Sequence, residues 1–279
     1  MVQKTVYDKN FRHVKKKIRV TVNGFRPSAL SGRVKGPKVL LNSIPKAGTN
    51  LLENALIRLP MLRNAGQKTI TAPDIITPDI IKTVANISRG QFLNGHLPYY
   101  KELEESLREN NIRIIFIIRD PRDVVVSWFK YVCNIDCVHL ANEYISSLND
   151  DDARLMAAIN GVPKVVEPIN QVLDKYEKWL ESDICLTCKF EDLVGENGGG
   201  STIKQHKLVR NISDFLGLDL PENELKKVAE GIYSTKASTF NKGNIGSWHN
   251  VFKDEHIKMF KENAGEEIIK YGYETGTDW

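Results

Sequence analysis

The stretch Lys38-Val39-Leu40-Leu41-Asn42-Ser43-Ile44, followed by Pro45-Lys46-Ala47-Gly48-Thr49-Asn50, decides the fold. Its apolar run predicts a short buried strand, and the Gly-containing turn predicts a passage into a helix that begins near Thr49. A turn of this kind presents backbone N–H groups, and the helix adds the positive end of its dipole. Lys46 adds a full charge and Thr49 a hydroxyl. The segment therefore predicts a site for a phosphate-like anion.

The position of the lysine separates this loop from that of ATP- and GTP-hydrolysing enzymes. Those enzymes need G-x-x-x-x-G-K-[ST], in which the lysine follows the last glycine. Here Lys46 precedes Gly48 by two positions, so the ATP-type signature is absent. An ATP-type nucleotide or phosphotransfer enzyme stays open as an alternative, and so does a non-catalytic module that binds a nucleotide or nucleic acid.

The rest of the chain predicts one α/β domain. Apolar runs typical of strands, at 39–43, 91–94, 113–118 and 184–188, alternate with helical patterns. This alternation favours a central, mostly parallel sheet flanked by helices, with ligands at the carboxyl ends of the strands. We predict a domain over 36–279 and a basic extension over 1–35. Residues 134–168 are predicted to be irregular.

The basic extension carries most of the charge imbalance. The net charge is +4, but residues 1–35 hold ten Lys or Arg and one acid, a net +9, which leaves −5 for the remainder. A basic arm can bind nucleic acid or an anionic lipid surface. Few aromatic residues are interleaved with these charges, so we expect a solvated extension and no nucleic-acid partner.

The sequence predicts neither membrane insertion nor export. No apolar stretch approaches the roughly 18 residues that a transmembrane helix needs. The N-terminal residues 1–8 lack the apolar core of a signal peptide. We therefore expect a cytoplasmic protein, and the sequence leaves its oligomeric state open.

The four cysteines form two close pairs, Cys133 with Cys137 and Cys185 with Cys188. The second pair has the C-x-x-C spacing of some zinc and redox sites. It lies in a predicted strand, however, where residues three apart face opposite sides. No His or carboxylate cluster completes a site at the first pair. We expect small core thiols in a reducing compartment and no metal.

A second anion-binding segment follows the most apolar strand. The run 113–118 leads directly into Arg119-Asp-Pro-Arg-Asp-Val-Val-Val-Ser127. An Arg at the carboxyl end of a parallel strand faces the ligand crevice, and Ser127, about two helical turns later, can offer a hydroxyl to the same anion. A capped helix N-terminus would explain the aspartates of this segment but not an Arg and a Ser at this spacing.

The third segment, Asn94-Gly95-His96-Leu97-Pro98, offers a base. Histidine has an ordinary pKa of about 6.5, so His96 can take a proton from a hydroxyl near neutral pH. It follows a short strand and lies between the two anion segments in the chain. Asp74 and Glu53 are the alternative carboxylate bases.

These segments, with a fourth at 241–252, resemble those of the cytosolic-type sulfotransferases. The family patterns are P-K-S-G-T-x-W, R-[ND]-P-[KR]-D-V-x-V-S, [ST]-H-L-P and, near the C-terminus, R-K-G-x-x-G-x-W-x-x-x-F. The likeness covers roughly residues 38–275. It implies a P-loop-like fold and sulfuryl transfer from 3′-phosphoadenosine 5′-phosphosulfate (PAPS) to a small-molecule acceptor. The product would be adenosine 3′,5′-bisphosphate (PAP), with no metal.

The resemblance also implies a role for individual residues. His96 would be the general base, and Lys46 would stabilise the leaving phosphate. The acceptor would offer a hydroxyl, with an amine or guanidine as the alternative. The implied nucleotide-binding residues are Lys46, Ala47, Gly48, Thr49, Asn50 and Leu51 at the 5′-phosphosulfate, Arg119 and Ser127 at the 3′-phosphate, Phe190 beside the adenine, and Asn241, Lys242 and Gly243 over the 3′-phosphate end.

Two residues depart from the family patterns. Asn241 stands where an Arg is usual, which removes a permanently charged phosphate donor. Leu51 stands where a Trp usually stacks on the adenine. Both departures predict a looser grip on the nucleotide, while the principal anion ligands are kept.

Overall fold

The computed structural model describes residues 35–72, 75–134, 141–233 and 244–279, which form a single α/β domain. Its parallel sheet has the strand order β2-β4-β1-β5-β6, and β3 pairs with β4 beyond the end of β2. The predicted central, parallel sheet flanked by helices is thereby confirmed. The strands are β1 (Lys38–Ser43), β2 (Arg63–Asn64), β3 (Ile70–Thr71), β4 (Gln91–His96), β5 (Ile112–Ile118) and β6 (Cys185–Lys189).

Helices cover both faces of the sheet and connect its parallel strands. Three short 3₁₀ turns, at 178–180, 196–198 and 247–250, complete the described elements. The helices are α1 (Thr49–Arg58), α2 (Pro78–Ala85), α3 (Lys101–Glu109), α4 (Pro121–Asn134), α5 (Asn142–Ser147), α6 (Asp151–Asn160), α7 (Ile169–Glu177), α8 (Phe190–Leu193), α9 (Thr202–Leu216), α10 (Glu222–Gly231) and α11 (Asp254–Lys270).

The core consists of two layers, one on each face of the sheet. Alternate residues of the central strand β1 serve the two layers: Leu40 packs into one, and Leu41 into the other. In register, Ser43 at the end of β1 lies opposite Ile117 of β5, and Asn42 lies opposite Gly95 of β4. The carboxyl ends of β1, β4 and β5 therefore meet at one edge of the sheet, where all three predicted segments begin.

The prediction of irregular structure over 134–168 is wrong, because the described part of this region contains α5 and α6. The Asp side chains that suggest a loop form a helix cap: Asp150 accepts a hydrogen bond from the backbone N–H of Ala153 at 2.8 Å. Leu155 and Ile159 of α6 are fully buried in the core. Capping chemistry and loop chemistry use the same residue types, and the apolar spacing after the cap distinguishes them.

The cysteines of β6 lie on opposite faces of the sheet, as the predicted strand requires. Cys185 packs against one core layer and Cys188 belongs to the other. Burial raises the pKa of the Cys185 thiol to about 12 and also raises that of Cys188, so neither is a reactive thiolate near neutral pH. Cys137 lies outside the described residues. Among the described residues, no helix is both long enough and apolar enough to span a bilayer.

Candidate active site

The loop between β1 and α1 has the geometry of an anion cradle. Gly48, the N-cap of α1, has φ 113°, which disfavours any side chain, and a Cβ there would approach the Phe190 ring to 2.7 Å. Because its N-cap is a glycine, α1 has no side-chain cap at its N-terminus. The backbone N–H groups of that first turn, with the helix dipole, therefore favour an anion as their partner.

Lys46 adopts a backbone conformation that is rare for a residue with a side chain, with φ 72°. Its ammonium nitrogen lies 3.6 Å from the centroid of the Tyr131 ring of α4, within cation–π distance. Backbone strain of this kind persists only where the surrounding structure enforces it, and it is concentrated at functional sites. The charge of Lys46 is thereby held at the side of the loop that faces α4.

A hydrogen-bonded chain joins the loop to His96 at the end of β4. The hydroxyl of Ser43 lies 2.7 Å from the hydroxyl of Thr49 and 3.0 Å from Nδ1 of His96. The backbone carbonyl of Ser43 also lies 3.0 Å from that Nδ1. Since a carbonyl can only accept, Nδ1 carries the hydrogen. In the neutral ring, Nε2 then holds the lone pair that a general base needs.

The surroundings also favour the neutral form of His96. Burial lowers the pKa of the imidazole, and the nearby charge of Lys46 lowers it further. The hydrogen bond to the Ser43 carbonyl acts in the opposite direction, and the net result is a pKa below the ordinary value. At neutral pH the ring is therefore ready to accept a proton.

The backbone around His96 is fixed by hydrogen bonds from Asn42 of β1 and from Trp179 to Leu97, the residue that follows β4. The side chain of Asn42 donates to the carbonyl of Leu97 and accepts from its N–H, both at 2.9 Å. The indole of Trp179 donates to the same carbonyl at 3.0 Å. These buried bonds hold the carboxyl ends of the two strands together, and so they set the position of the imidazole.

The second segment places a buried arginine at the carboxyl end of β5. The Arg119 guanidinium lies over the Phe190 ring at 4.4 Å and donates from Nη2 to the Asn244 carbonyl at 2.9 Å. It also pairs with Asp123 at 3.4 Å. Its Nε is buried and has no hydrogen-bond partner among the described residues. An unsatisfied buried donor on a cationic group is costly, and an anion bound there would satisfy it.

Asp123 binds the segment 246–248, which comes from the far end of the chain. Its carboxylate accepts from the N–H of Gly246 at 2.9 Å, the hydroxyl of Ser247 at 2.8 Å and the N–H of Trp248 at 2.9 Å. The residue is fully buried. It therefore ties the start of α4 to the C-terminal motif.

Glu191 links the start of α8 to the start of α4. It accepts from the N–H of Asp120 at 3.0 Å and from the hydroxyl of Tyr273 at 2.9 Å. Burial raises the pKa of this carboxyl against those hydrogen bonds, which lower it. The link places Phe190 between Gly48 and Arg119, so one ring contacts both anion segments.

The other predicted site residues are distributed as follows. Ala47 is buried, Asn50 is exposed, and Ser127 is partly exposed two turns into α4. Leu51 packs against the core layer beneath α1.

Glu53, the alternative base, accepts a hydrogen bond from Asn64 at 2.7 Å. Asp74, Asn241, Lys242 and Gly243 lie outside the described residues, so their roles stay predictions.

Sequence reasoning missed the contributions of Ser43, Asp123 and Tyr131. Ser43 ends the apolar run of β1, where a small polar residue gives no signal beyond the end of a strand. Asp123 resembles a solvated first-turn acid, and only its distant partners reveal its task. Tyr131 lies one helical turn after Ser127, which is the signal that could have placed it on the same face of α4.

A group of three potential metal ligands lies where the starts of α6 and α11 meet. Atoms of Asp152, Glu255 and His256 lie within 4.8 Å of one another. Lys253 forms an ion pair with Asp152, and Nδ1 of His256 accepts from the N–H of Lys253 at 2.9 Å. A cation and a helix cap already use these groups, so the arrangement supports the start of α11.

A family model and related sequences point to the same family, and a solved structure has a similar fold. The model of the family described as "Sulfotransferase domain" matches residues 36–272. Flavonol 3-sulfotransferase of Flaveria bidentis is 24% identical, over 82% of this chain and 81% of its own length. Cytosolic sulfotransferase 1 of Danio rerio is 21% identical, over 84% of both chains. The crystal structure of mouse sulfotransferase SULT7A1 with PAP superposes with a TM-score of 0.60 at 21% identity, over 87% of this chain and 90% of that one.

Proposed function

This chain belongs to the sulfotransferase family, and from that premise we propose that it transfers the sulfuryl group of PAPS to a hydroxyl of a small-molecule acceptor, with His96 as general base. The observation that carries the proposal is the hydrogen bond from Nδ1 of His96 to the Ser43 carbonyl. It leaves Nε2 as the proton acceptor, next to a loop built for an anion. The two alternatives, an ATP-type enzyme and a non-catalytic module, are disfavoured by the family match.

The residues fit the nucleotide at both of its anionic ends. The loop from Lys46 to Thr49 offers backbone N–H groups, a hydroxyl and an ammonium to the 5′-phosphosulfate. At the other end, the unsatisfied Nε of Arg119 fits the 3′-phosphate, and the family pattern adds Ser127. When bound, PAPS supplies an activated sulfuryl group. The mouse sulfotransferase of similar fold is complexed with PAP, which supports this choice of nucleotide.

Three residues have distinct roles in the proposed transfer. His96 takes the proton of the acceptor hydroxyl at Nε2, which makes the oxygen a better nucleophile. Lys46 and the N–H groups of the loop stabilise the negative charge that develops on the departing phosphate. The contact of Phe190 with both segments fixes the spacing between the two anion-binding groups, which favours one position of the donor.

A hydroxyl acceptor follows from the base, because an amine or guanidine that is already a free nucleophile would depend less on His96. We propose that the domain extends over 36–279; residues 1–34 of the predicted basic extension over 1–35 lie outside the described residues. A cytoplasmic location is supported by the relative named a cytosolic sulfotransferase and by the free thiols of Cys133, Cys185 and Cys188.

Equilibrium binding followed by an acceptor screen tests the proposal. We expect the protein to bind PAP much more tightly than ATP, since only PAP carries a 3′-phosphate for Arg119. Incubation with PAPS and pooled phenols, alcohols and amines should then give products that are heavier by one sulfuryl group in mass spectrometry. Preference for ATP, or tight PAP binding with no sulfated product from any acceptor class, would contradict it.

A further inference from the structure

The most informative unassigned feature is the chain of hydrogen bonds through Ser43, a fully buried residue at the end of β1. Its hydroxyl lies between Thr49 of the anion loop, at 2.7 Å, and Nδ1 of His96, at 3.0 Å. It is therefore in direct hydrogen-bonding contact with both the loop that holds the donor and the base that activates the acceptor.

The directions of these hydrogen bonds are determined by the groups at the two ends. At one end, the Ser43 carbonyl can only accept, so Nδ1 of His96 donates its hydrogen towards Ser43. The hydroxyl of Ser43 then receives from His96 and directs its own hydrogen to the oxygen of Thr49. With that lone pair occupied, Thr49 directs its hydrogen away from Ser43, where a phosphate oxygen would accept it.

The opposite order is unfavourable at both ends. If Thr49 donated to Ser43 and Ser43 to the ring, Nδ1 would have no hydrogen and its lone pair would face the Ser43 carbonyl at 3.0 Å. Thr49 would also present a lone pair, instead of a hydrogen, to the bound anion. A phosphate at the loop and the carbonyl at the ring thus select the same arrangement of hydrogens.

We propose that Ser43 is a positioning residue that couples occupancy of the anion loop to the tautomer of His96. Binding of the donor fixes the hydrogen of Thr49, which fixes that of Ser43, which holds Nδ1 protonated and keeps the lone pair on Nε2. No proton is transferred along these hydrogen bonds, because their role is to orient the hydrogens of Thr49, Ser43 and His96. The base is therefore best prepared when the donor is in place. This inference rests on the proposed function, in which His96 is the base.

The first test uses steady-state kinetics. Ser43→Ala should lower kcat about tenfold, since orientation of the base is impaired, while the Kd for PAP changes less than about threefold. Ser43→Thr keeps the hydroxyl and should restore kcat to within about threefold of the wild type. Ser147→Ala, which removes an exposed serine hydroxyl far along the chain, is the matched control and should change neither quantity.

The second test observes the ring itself, without turnover. The ¹⁵N signals of His96, assigned by their loss in His96→Ala, report which ring nitrogen carries the hydrogen. The charge of Lys46 lowers the pKa of the His96 ring, whereas Thr71 of β3, which lies opposite His96, is uncharged. Spectra are therefore compared at a pH above the pKa of His96, where the ring is neutral. In the wild type, PAP should further increase the fraction protonated at Nδ1, which the Ser43 carbonyl already favours, and in Ser43→Ala PAP should cause no such increase.

Each outcome separates this inference from the proposed function. An equal response to PAP in wild type and Ser43→Ala would overturn the coupling, and so would a folded Ser43→Thr protein that fails to regain kcat. If His96→Ala kept its activity, the assignment of the base would be wrong. The ¹⁵N signals of His96 in the wild type and in Ser43→Ala would still show whether the hydrogen bonds through Ser43 respond to PAP. Thermal unfolding of each variant distinguishes loss of orientation from loss of fold.

Discussion

The two proposed anion-binding regions are built in opposite ways. The 5′ loop, Pro45–Leu51, is a strand–turn–helix unit with local hydrogen bonds, as in the bond between Ser43 and Thr49, and its contact with Tyr131 of α4 is made by Lys46. The 3′ segment, Arg119–Ser127, depends on partners more than 120 positions away, as in the bonds from Asp123 to residues 246–248. One region is fixed by local backbone geometry, and the other is assembled when the end of the chain docks.

This difference predicts different consequences for catalysis. In the proposed function the 5′ loop and His96 act on the bonds that form and break, so changes there should reduce kcat. We propose that the 3′ segment holds the far end of the donor, so changes there should weaken donor binding.

The largest effect is expected for His96→Ala, which removes the base. Turnover on a hydroxyl acceptor should fall on the order of 10³-fold, while the melting temperature changes little. The control His206→Ala removes a histidine of α9 and should leave turnover unchanged. A stable His96→Ala protein with most of its activity would move the role of base to Asp74 or Glu53.

The pH dependence of activity follows from the same residue. Burial and the charge of Lys46 lower the pKa of His96, so the neutral ring predominates at pH 7 and is lost as the pH falls through that lowered value. The kcat/KM for the acceptor should therefore rise with pH and level off before about pH 7. A rise centred well above pH 7 that persists in His96→Ala would show that another group titrates.

Lys46→Ala should be the next most damaging change. In the proposed function its ammonium acts on charge that develops during transfer, so kcat should fall on the order of 10²-fold while PAP still binds measurably. Lys82→Ala, an exposed lysine of α2, is the control. If Lys46→Ala reduced only the affinity for PAP, the 5′ loop would act in binding alone, and the division between the regions would fail.

Arg119→Ala tests whether the 3′ segment acts mainly in donor binding. Loss of its guanidinium should raise the KM for PAPS at least tenfold with a small change in kcat, and Ser127→Ala should raise it less, because a neutral donor is weaker than a charged one. The preference for PAP over adenosine 5′-phosphate should shrink in both variants. An unchanged preference would exclude these residues from the 3′-phosphate site, and Arg89→Ala controls for the loss of a surface arginine.

The same contrast explains how much could be predicted from the sequence. The four predicted strands and the turn at Gly48 follow from local pattern and punctuation, and the structure confirms them, whereas the two-residue strands β2 and β3 were not predicted. The candidate residues of the 5′ loop could be predicted because they are consecutive in the sequence, so the turn itself brings them together. The position of His96 at the end of a parallel strand could be predicted for the same reason.

What the sequence could not provide is the long-range support of these residues. Asp123 looks like a solvated acid until the segment 246–248 docks on it, and no local pattern encodes a contact across more than 120 positions. The role of Phe190 as a link between both segments depends in turn on Glu191 and its contact with α4. Partners of this kind are set by tertiary packing, and so they require the structure.

The smallest effect is expected for Trp279→Ala, which probes the most distant support of the 3′ segment. The guanidinium of Arg122 lies between two indoles, 4.1 Å from the ring of Trp248 and 4.4 Å from that of Trp279. It also pairs with Asp120 and Glu274, both at 2.7 Å. Arg122 thus connects the start of α4 to the C-terminal residues.

Removing one indole should loosen this connection without touching the 5′ loop. A buried cation–π contact contributes roughly 1–2 kcal/mol, so the melting temperature should fall by about 2–8 °C. The KM for PAPS should rise about twofold to threefold through Arg119, while kcat stays within about twofold of the wild type. Trp279→Phe keeps an aromatic face and should recover most of both losses, and Tyr144→Ala, an exposed aromatic of α5, should cause neither. A fall in kcat with an unchanged KM would mean that docking of the C-terminal residues controls the chemical step, and the two regions would then not be separable.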